Sequence, residues 1–510
     1  MNYRHKKNEL GLENYFNKLS KFPILGLLLI GISAIVIRLI FFQNDIIFAS
    51  DNLRYFTYAI DVSLTGKSLT ASLPNDGWPL FLSIFFKFLD SKNFLDYMNL
   101  QSYLTIIFST ITIIPLYVLA KKFVRTSFAL ICTVLFVFEP RIIQNSLTGA
   151  TDPLFILLIV TSLSLIVQKN KYIICSAFVT VSLASVVRVE GLFLIPALCL
   201  IFFLRFRITK KSFLQFIIFL SIAFLILLPF GIQRIENSGN DFLIGRIILE
   251  SQSFSEKTQN DSNDIFLKIG ESVYIFIGFL GKLMIPYLGI FVPIGIILFL
   301  KEKSIQKFLL IIPISFMILP SLYAFTVPAL DSRYLFPILP ILCIFGAYSC
   351  MKFYEKLKWK KEVIGIIFVI VIVSSGLFFD YKNNDIEKQK DFLKLSSEIN
   401  KKTDVILYVN SPINPYLKAI QLLELKEFPI TSSHWYNDEK TKTIKYDSIQ
   451  DFFLEIKKNE ITHIVFDENI DNPIILKQIF DNYDEYENLN KIFDSHDNGF
   501  NYKIEIFEIK

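Results

Sequence analysis

Asp51 and Asp76 lie in SDNLRYFTYAI and NDGWPLFLSIFF, within a loop between two long apolar stretches. A carboxylate at such a place, where water meets lipid, could act as a general base or orient a nucleophile. The substrate that suits it has a polar reactive head and an apolar tail. Other ionisable residues recur beside later apolar stretches. They are Glu139 and Arg141 in FEPR, Asp152 in TDP, Arg188 and Glu190 in RVEG, and Asp331, Arg333 and Tyr334 in DSRY. Such groups are costly beside hydrocarbon and usually face a cavity or a partner. An arginine among them has a further use, because a guanidinium binds phosphate bidentately.

The elements that must position these residues are membrane spans. Hydrophobic residues make up 53% of the 510, more than a soluble chain of this length carries. The expected fold class is a polytopic α-helical membrane protein. Runs of roughly 17–25 mostly apolar residues mark candidate spans. They fall at 22–42, 99–120, 127–146, 153–168, 172–187, 190–205, 212–232, 272–300, 307–328, 335–351 and 362–380, about eleven. Basic clusters at 6–21, 121–125, 169–171, 205–211, 301–307 and 352–361 fall in every second loop. By the positive-inside rule these loops and the N-terminus are cytoplasmic. A charged N-terminus leading into a full-length span argues against a cleavable signal peptide.

The expected domains are a cytoplasmic segment 1–21, a membrane domain 22–380 with a first outer loop 43–98, and an extracytoplasmic domain 381–510. The last is rich in Asp, Glu, Lys and Asn. Short apolar runs at 404–410, 462–468 and 502–510 alternate with helical stretches at 412–425 and 447–458, the pattern of a small α/β domain. His434, His463 and His496 are scattered without ligand spacing. The five cysteines lie in apolar stretches without a CxxC pair and read as small core residues. Asn260-Asp261-Ser262 is a formal glycosylation sequon in an outer loop. With 52 phenylalanines in the chain, single Phe residues carry no functional weight.

On this topology the outer span ends carry both charge signs, Arg38 included, which predicts one polar chamber on the outer face. Most of its members have two readings. Asp51 is a general base or the cap of a helix opening at Ser50. Asp76 shapes a pocket or merely a turn. Trp78 reads as an interfacial anchor rather than a sugar platform. Glu139 and Arg141 flank Pro140, which breaks regular geometry, so each is expected to seek partners on other helices. Asp152 precedes Pro153 like a helix start, with Thr151 or Asp152 as cap. Arg188 and Glu190 either seal a tight turn or present an arginine to phosphate, and Arg333, with Tyr334 beside it, repeats the situation.

Taken in order, these motifs resemble the GT-C superfamily, multi-span glycosyltransferases that use polyisoprenyl-phosphate sugars. Prokaryotic protein O-mannosyltransferases and lipid A aminoarabinose transferases are the most similar in kind. The resemblance covers about residues 20–350 and rests on the order of the motifs, none of which is specific alone. It implies that Asp51 is the base acting on the acceptor and that Asp152 is a second acidic catalytic position. It implies that Arg188 and Arg333 hold the lipid phosphate. Asp76, Glu139, Arg141, Glu190 and Tyr334 complete the expected substrate-binding set. Many relatives carry a second acid directly after the base; here Asn52 stands there, which leaves one carboxylate at that point.

The expected activity is sugar transfer, of a hexose such as mannose and with inversion, from a polyisoprenyl-phosphate donor to a protein, lipid or glycan acceptor at the outer face of the cell membrane. No cofactor is indicated, a divalent cation stays open, and no nucleic-acid partner is expected. The competing reading is a polytopic lipid or sugar transporter or flippase. Repeated halves and charged or Gly/Pro-broken spans at mid-membrane would favour it.

Overall fold

The computed structural model describes residues 23–44, 47–48, 50–66, 77–91, 93–206, 208–238, 262–326, 331–356, 360–401, 407–410, 413–424, 441–442, 444, 446–467, 474–500 and 502–510. Asp76, His434 and residues 260–261 of the sequon lie outside the described residues. The chain divides into two compact units. One comprises Met1–Phe42, Thr70–Phe81 and Leu100–Phe379; the other comprises Gln43–Leu69, Leu82–Asn99 and Asp380–Lys510.

The first unit is helical. Among the described residues, Pro23–Phe41, Phe94–Ala120, Lys210–Gln233, Ile305–Thr326 and Ser332–Lys356 are long and apolar enough to cross a membrane. Two further candidates are broken. The stretch expected at 127–146 is Thr126–Val137 plus Pro140–Ser146, bent by 58°. Glu139 sits at the break in an extended conformation, and its Oε2 accepts from the Ile142 N–H at 2.9 Å. The stretch expected at 272–300 bends by 113° between Met284 and Leu288. Pro286 lies in that break and has no N–H to continue the helical ladder. The buried Tyr287 then donates to the Leu135 carbonyl at 2.8 Å, which fixes the turn to the preceding broken pair. Asp152–Ile166, Lys171–Val187 and Leu194–Arg205 are shorter, and 362–380 falls within Lys360–Lys401. Among the described residues the architecture is mostly helical, with five to seven candidate spans, the several apolar helices that a multi-pass membrane protein needs.

Close packing sets the centre of this unit. Residues 339–351 are buried throughout. There Gly295 lies so near the Phe345 backbone that an added Cβ would overlap its carbonyl. Small residues let helices approach this closely where the hydrophobic effect does not drive them together. Arg38, on Pro23–Phe41, is fully buried. It donates to Ser146 Oγ at 2.9 Å, Ser109 Oγ and the Val137 carbonyl at 3.0 Å, and Ala34 O at 3.1 Å. Its charge ties three segments together.

Trp78 departs from the anchor expectation. It is buried and donates Nε1–H to Gly149 O at 3.1 Å, a carbonyl that also accepts from Gln101 Nε2 at 2.8 Å. Gly77 permits this, because a Cβ there would stand 2.7 Å from the Val186 carbonyl carbon and oxygen. Backbone cannot give way as a flexible side chain can. Gly77→Ala should therefore destabilise the detergent-solubilised protein by about 1–3 kcal/mol. Denaturant unfolding checks this, and an unchanged midpoint would contradict the close approach.

In the second unit, Ser50–Thr65 forms a helix whose Phe56 meets Phe86 and Phe94 edge-on, at 6.0 and 6.5 Å. Its C-terminal part holds a five-stranded sheet of β1 (Leu407–Asn410), β2 (Thr441–Lys442), β3 (His463–Asp467), β4 (Leu489–Asp494) and β5 (Ile504–Ile509), in the order β2-β1-β3-β5-β4. The first three strands pair in parallel and the last two join antiparallel. Strand periodicity sends Leu407 and Val409 to one face, against Leu395 and Ile399 of Lys360–Lys401. Tyr408 and Phe466 go to the other face, against Phe452 and Ile456 of Ile449–Lys458. Helices thus cover both faces, as a sheet with parallel strands requires. Partial burial holds the His463 imidazole below its usual pKa, against the pull of Glu508.

Candidate active site

Asp152 opens the helix Asp152–Ile166, and Thr151 before it makes no side-chain cap bond. Neither residue caps through its side chain in the way the TDP motif suggested. The Asp152 carboxylate is used elsewhere. Its Oδ1 takes a hydrogen bond of 2.5 Å from Arg188 Nη1, and its Oδ2 takes one of 3.1 Å from Asn145 Nδ2. Proline at the second position of that helix needs no amide partner, so this helix start tolerates Pro153.

Arg188 ends the helix Lys171–Val187 in an extended conformation, and the 3₁₀ turn Val189–Phe193 follows. Gly191 lets that turn press on the helix, since a Cβ there would lie 2.7 Å from the Ser185 amide nitrogen. The guanidinium is shared. Nη1 serves Asp152 and reaches Thr151 Oγ1 at 3.4 Å. Nη2 and Nε face the two oxygens of Glu190, at 2.6 and 3.3 Å. Phe155 and Tyr334 lie over the same cation, with ring centroids at 5.7 and 5.9 Å.

Tyr334 belongs to the 3₁₀ helix Ser332–Ile338, whose cap Asp331 accepts from the Arg333 N–H at 2.9 Å. Asp331 also holds Arg333 Nε at 2.6 Å. Arg333 is near enough to Asp152 and Arg188 to feel both charges. Arg188 is buried, whereas the Arg333 side chain is partly exposed. Three carboxylates and two guanidiniums therefore converge with one phenol, drawn from the ends of four segments.

Glu139 and Arg141 form a separate group. Pro140 starts a new helix between them, so they meet despite their spacing, Arg141 Nη1 to Glu139 Oε1 at 3.3 Å. Arg141 also finds the partner on another segment that was expected, the Ile285 carbonyl at 2.6 Å, and lies over the Phe378 ring at 5.2 Å. The pair thus braces both helix breaks. The short helix Pro140–Ser146 carries Arg141 at one end and Asn145, the partner of Asp152, at the other.

Asp51 belongs to the second unit, in the first turn of Ser50–Thr65. Its side chain is 57% exposed and pairs with Arg54 at 3.9 Å. No group of three or more His, Cys, Asp or Glu side chains with metal-binding geometry occurs among the described residues. Sequence reasoning missed Asn145 and Phe155; neither spacing nor residue type distinguishes them from ordinary helix residues.

The structure is similar to ArnT from Cupriavidus metallidurans bound to undecaprenyl phosphate, with a TM-score of 0.60 and 10% identity over 94% of this chain and 97% of that one. The Archaeoglobus fulgidus oligosaccharyltransferase, in a complex with Zn and sulfate, gives 0.56 and 14% over 87% and 68%. The same archaeal enzyme, AglB, in complex with an inhibitory peptide and a dolichol-phosphate, gives 0.55 and 12% over 86% and 69%. The chain has the GT-C fold. Within that fold, residues 271–410 match the Alg9-like mannosyltransferase family. No curated protein sequence matches the chain. Two GT-C enzymes and a mannosyltransferase family together support a glycosyltransferase.

Proposed function

We propose that this GT-C protein transfers a sugar, a hexose such as mannose, from a polyisoprenyl-phosphate donor to an acceptor at the outer membrane face, with inversion. The observation that carries this reading is the cluster Asp152–Arg188–Glu190–Arg333–Tyr334, in a fold whose solved neighbours hold dolichol-phosphate and undecaprenyl phosphate. Arg188 and Arg333 carry fixed positive charge to the point where the leaving phosphate gains negative charge. Asp152 keeps the Arg188 guanidinium in place, and Tyr334 lies against it.

The step is a single displacement. The acceptor oxygen or nitrogen attacks the anomeric carbon, the bond from that carbon to the phosphate oxygen breaks, and its electron pair leaves with the phosphate. Asp51 takes the acceptor's proton. The products are the glycosylated acceptor and a free polyisoprenyl phosphate. This reading includes about eleven spans, a cytoplasmic segment 1–21, a membrane domain 22–380 and an extracytoplasmic domain 381–510.

The test uses the full chain in liposomes with a radiolabelled polyisoprenyl-phosphate hexose and candidate peptide, lipid and glycan acceptors. Labelled acceptor should form together with an equal amount of sugar-free lipid phosphate. A donor that crosses between leaflets with its sugar attached, without release of lipid phosphate, would establish a flippase instead.

A further inference from the structure

The Arg188 guanidinium presents two different edges. The Nη1 edge is built in. Its partner Asp152 has a side chain only 1% exposed, and Asn145 holds the second carboxylate oxygen. The Nε–Nη2 edge is the parallel fork that suits a phosphate bidentately. Here that fork is filled by Glu190 of the same chain, through both carboxylate oxygens. The Glu190 side chain is 18% exposed and stands on a turn whose backbone is pinned by Gly191. Of the two acids that hold Arg188, Glu190 is thus the one with access to solvent.

We propose that Glu190 is a counter-ion latch: it occupies the Arg188 fork in the empty site and is exchanged for the phosphate of the polyisoprenyl lipid. This rests on the reading of the site as one for polyisoprenyl phosphate. The exchange has a direction built into its charges. The sugar-bearing donor is a phosphodiester with one negative charge, so it replaces Glu190 like for like. The product is a phosphomonoester carrying about −1.5 to −2 at neutral pH, as such esters do. Unopposed, Arg188 would hold the product more tightly than the donor. A carboxylate waiting to return to the fork weakens donor and product alike, and so speeds release of the more tightly held product.

Asp152 cannot serve as the latch. It is the more buried acid, and leaving it without its guanidinium would strand a buried charge. Glu190 is partly exposed to solvent.

The experiment measures binding of polyisoprenyl phosphate, and separately of inorganic phosphate, to the full-length protein in detergent. Glu190→Gln removes the competing charge and keeps the shape. It should bind the lipid phosphate about 10-fold tighter, the worth of one charge-assisted hydrogen bond. Transfer by this variant should be inhibited at correspondingly lower product concentration. Glu190→Asp keeps the charge but falls short of the fork; it should tighten binding in the same direction and decides the question if Glu190→Gln does not fold. Parental protein that binds the lipid phosphate while both variants bind it equally or more weakly overturns the latch and leaves the proposed function standing. Failure of parental protein and variants alike to bind the lipid overturns the functional reading, and the latch with it. A gain confined to inorganic phosphate, undisturbed by the lipid, would assign the fork to a soluble anion and overturn the lipid proposal.

Discussion

Asp51→Asn should lower sugar transfer by about 10²–10⁴-fold, the usual contribution of a positioned general base. At the middle of that range the barrier rises by about 4 kcal/mol. The substitution is nearly isosteric and removes only the ability to accept a proton. Folding should hardly change. Asp51 is exposed and its ion pair with Arg54, at 3.9 Å, is long. Exposed pairs of this kind contribute roughly 0–1 kcal/mol. An acid in the first turn of a helix adds about 0.3–1 kcal/mol through the helix dipole. The two readings of Asp51 thus separate in measurement. A capping residue would show a small loss of stability and full transfer. A base would show parental stability and parental binding of lipid phosphate, with transfer nearly lost. Turnover with a defined donor and thermal unfolding of the same preparation are the two readouts. Transfer at the parental rate would remove Asp51 from the mechanism.

The sequence reached much of this protein because its strongest signals are local. Apolar length marks Pro23–Phe41, Phe94–Ala120 and Ile305–Thr326. Short apolar runs between polar, helical-looking stretches mark β1, β3 and β5. Local signals also pointed to Pro140 as a break and to the RVEG turn as a place where Arg188 and Glu190 meet. Partner choice over long separations was not legible. Nothing in the spacing says that Asp152 belongs to Arg188 and Asn145 rather than to its own helix end. Trp78 reads as an interfacial ring because indole types are common at membrane edges. Its burial is decided by Gly77, which lets the backbone meet Val186. The single span expected over 272–300 became two helices because the apolar run is continuous in composition while Pro286 interrupts the hydrogen-bond ladder. Glu139 and Arg141 are two residues apart, which forbids pairing on a regular helix face. They pair because the helix restarts between them.

The Arg188–Asp152 pair yields the second large effect. Arg188→Met should destabilise the protein by roughly 3–5 kcal/mol, because it leaves a buried carboxylate without its countercharge. The Asp152 side chain is 1% exposed, so water cannot take the place of the guanidinium. Asn145 remains as a donor but supplies no charge. Adding Asp152→Asn to Arg188→Met removes the stranded charge. The new amide can still accept from Asn145, and replacing both ions of a buried pair is often close to neutral. The double variant should therefore regain most of the lost stability, and a double-mutant cycle of unfolding free energies measures the coupling. Transfer should behave differently. If Arg188 stabilises the leaving phosphate, no restoration of folding brings the charge back, and the double variant should be as inactive as the single one. Recovery of both stability and transfer would reduce Arg188 to a structural brace and leave Arg333 as the one described guanidinium of this cluster available to the phosphate. Recovery of stability alone assigns Arg188 a chemical task beyond the pair it forms.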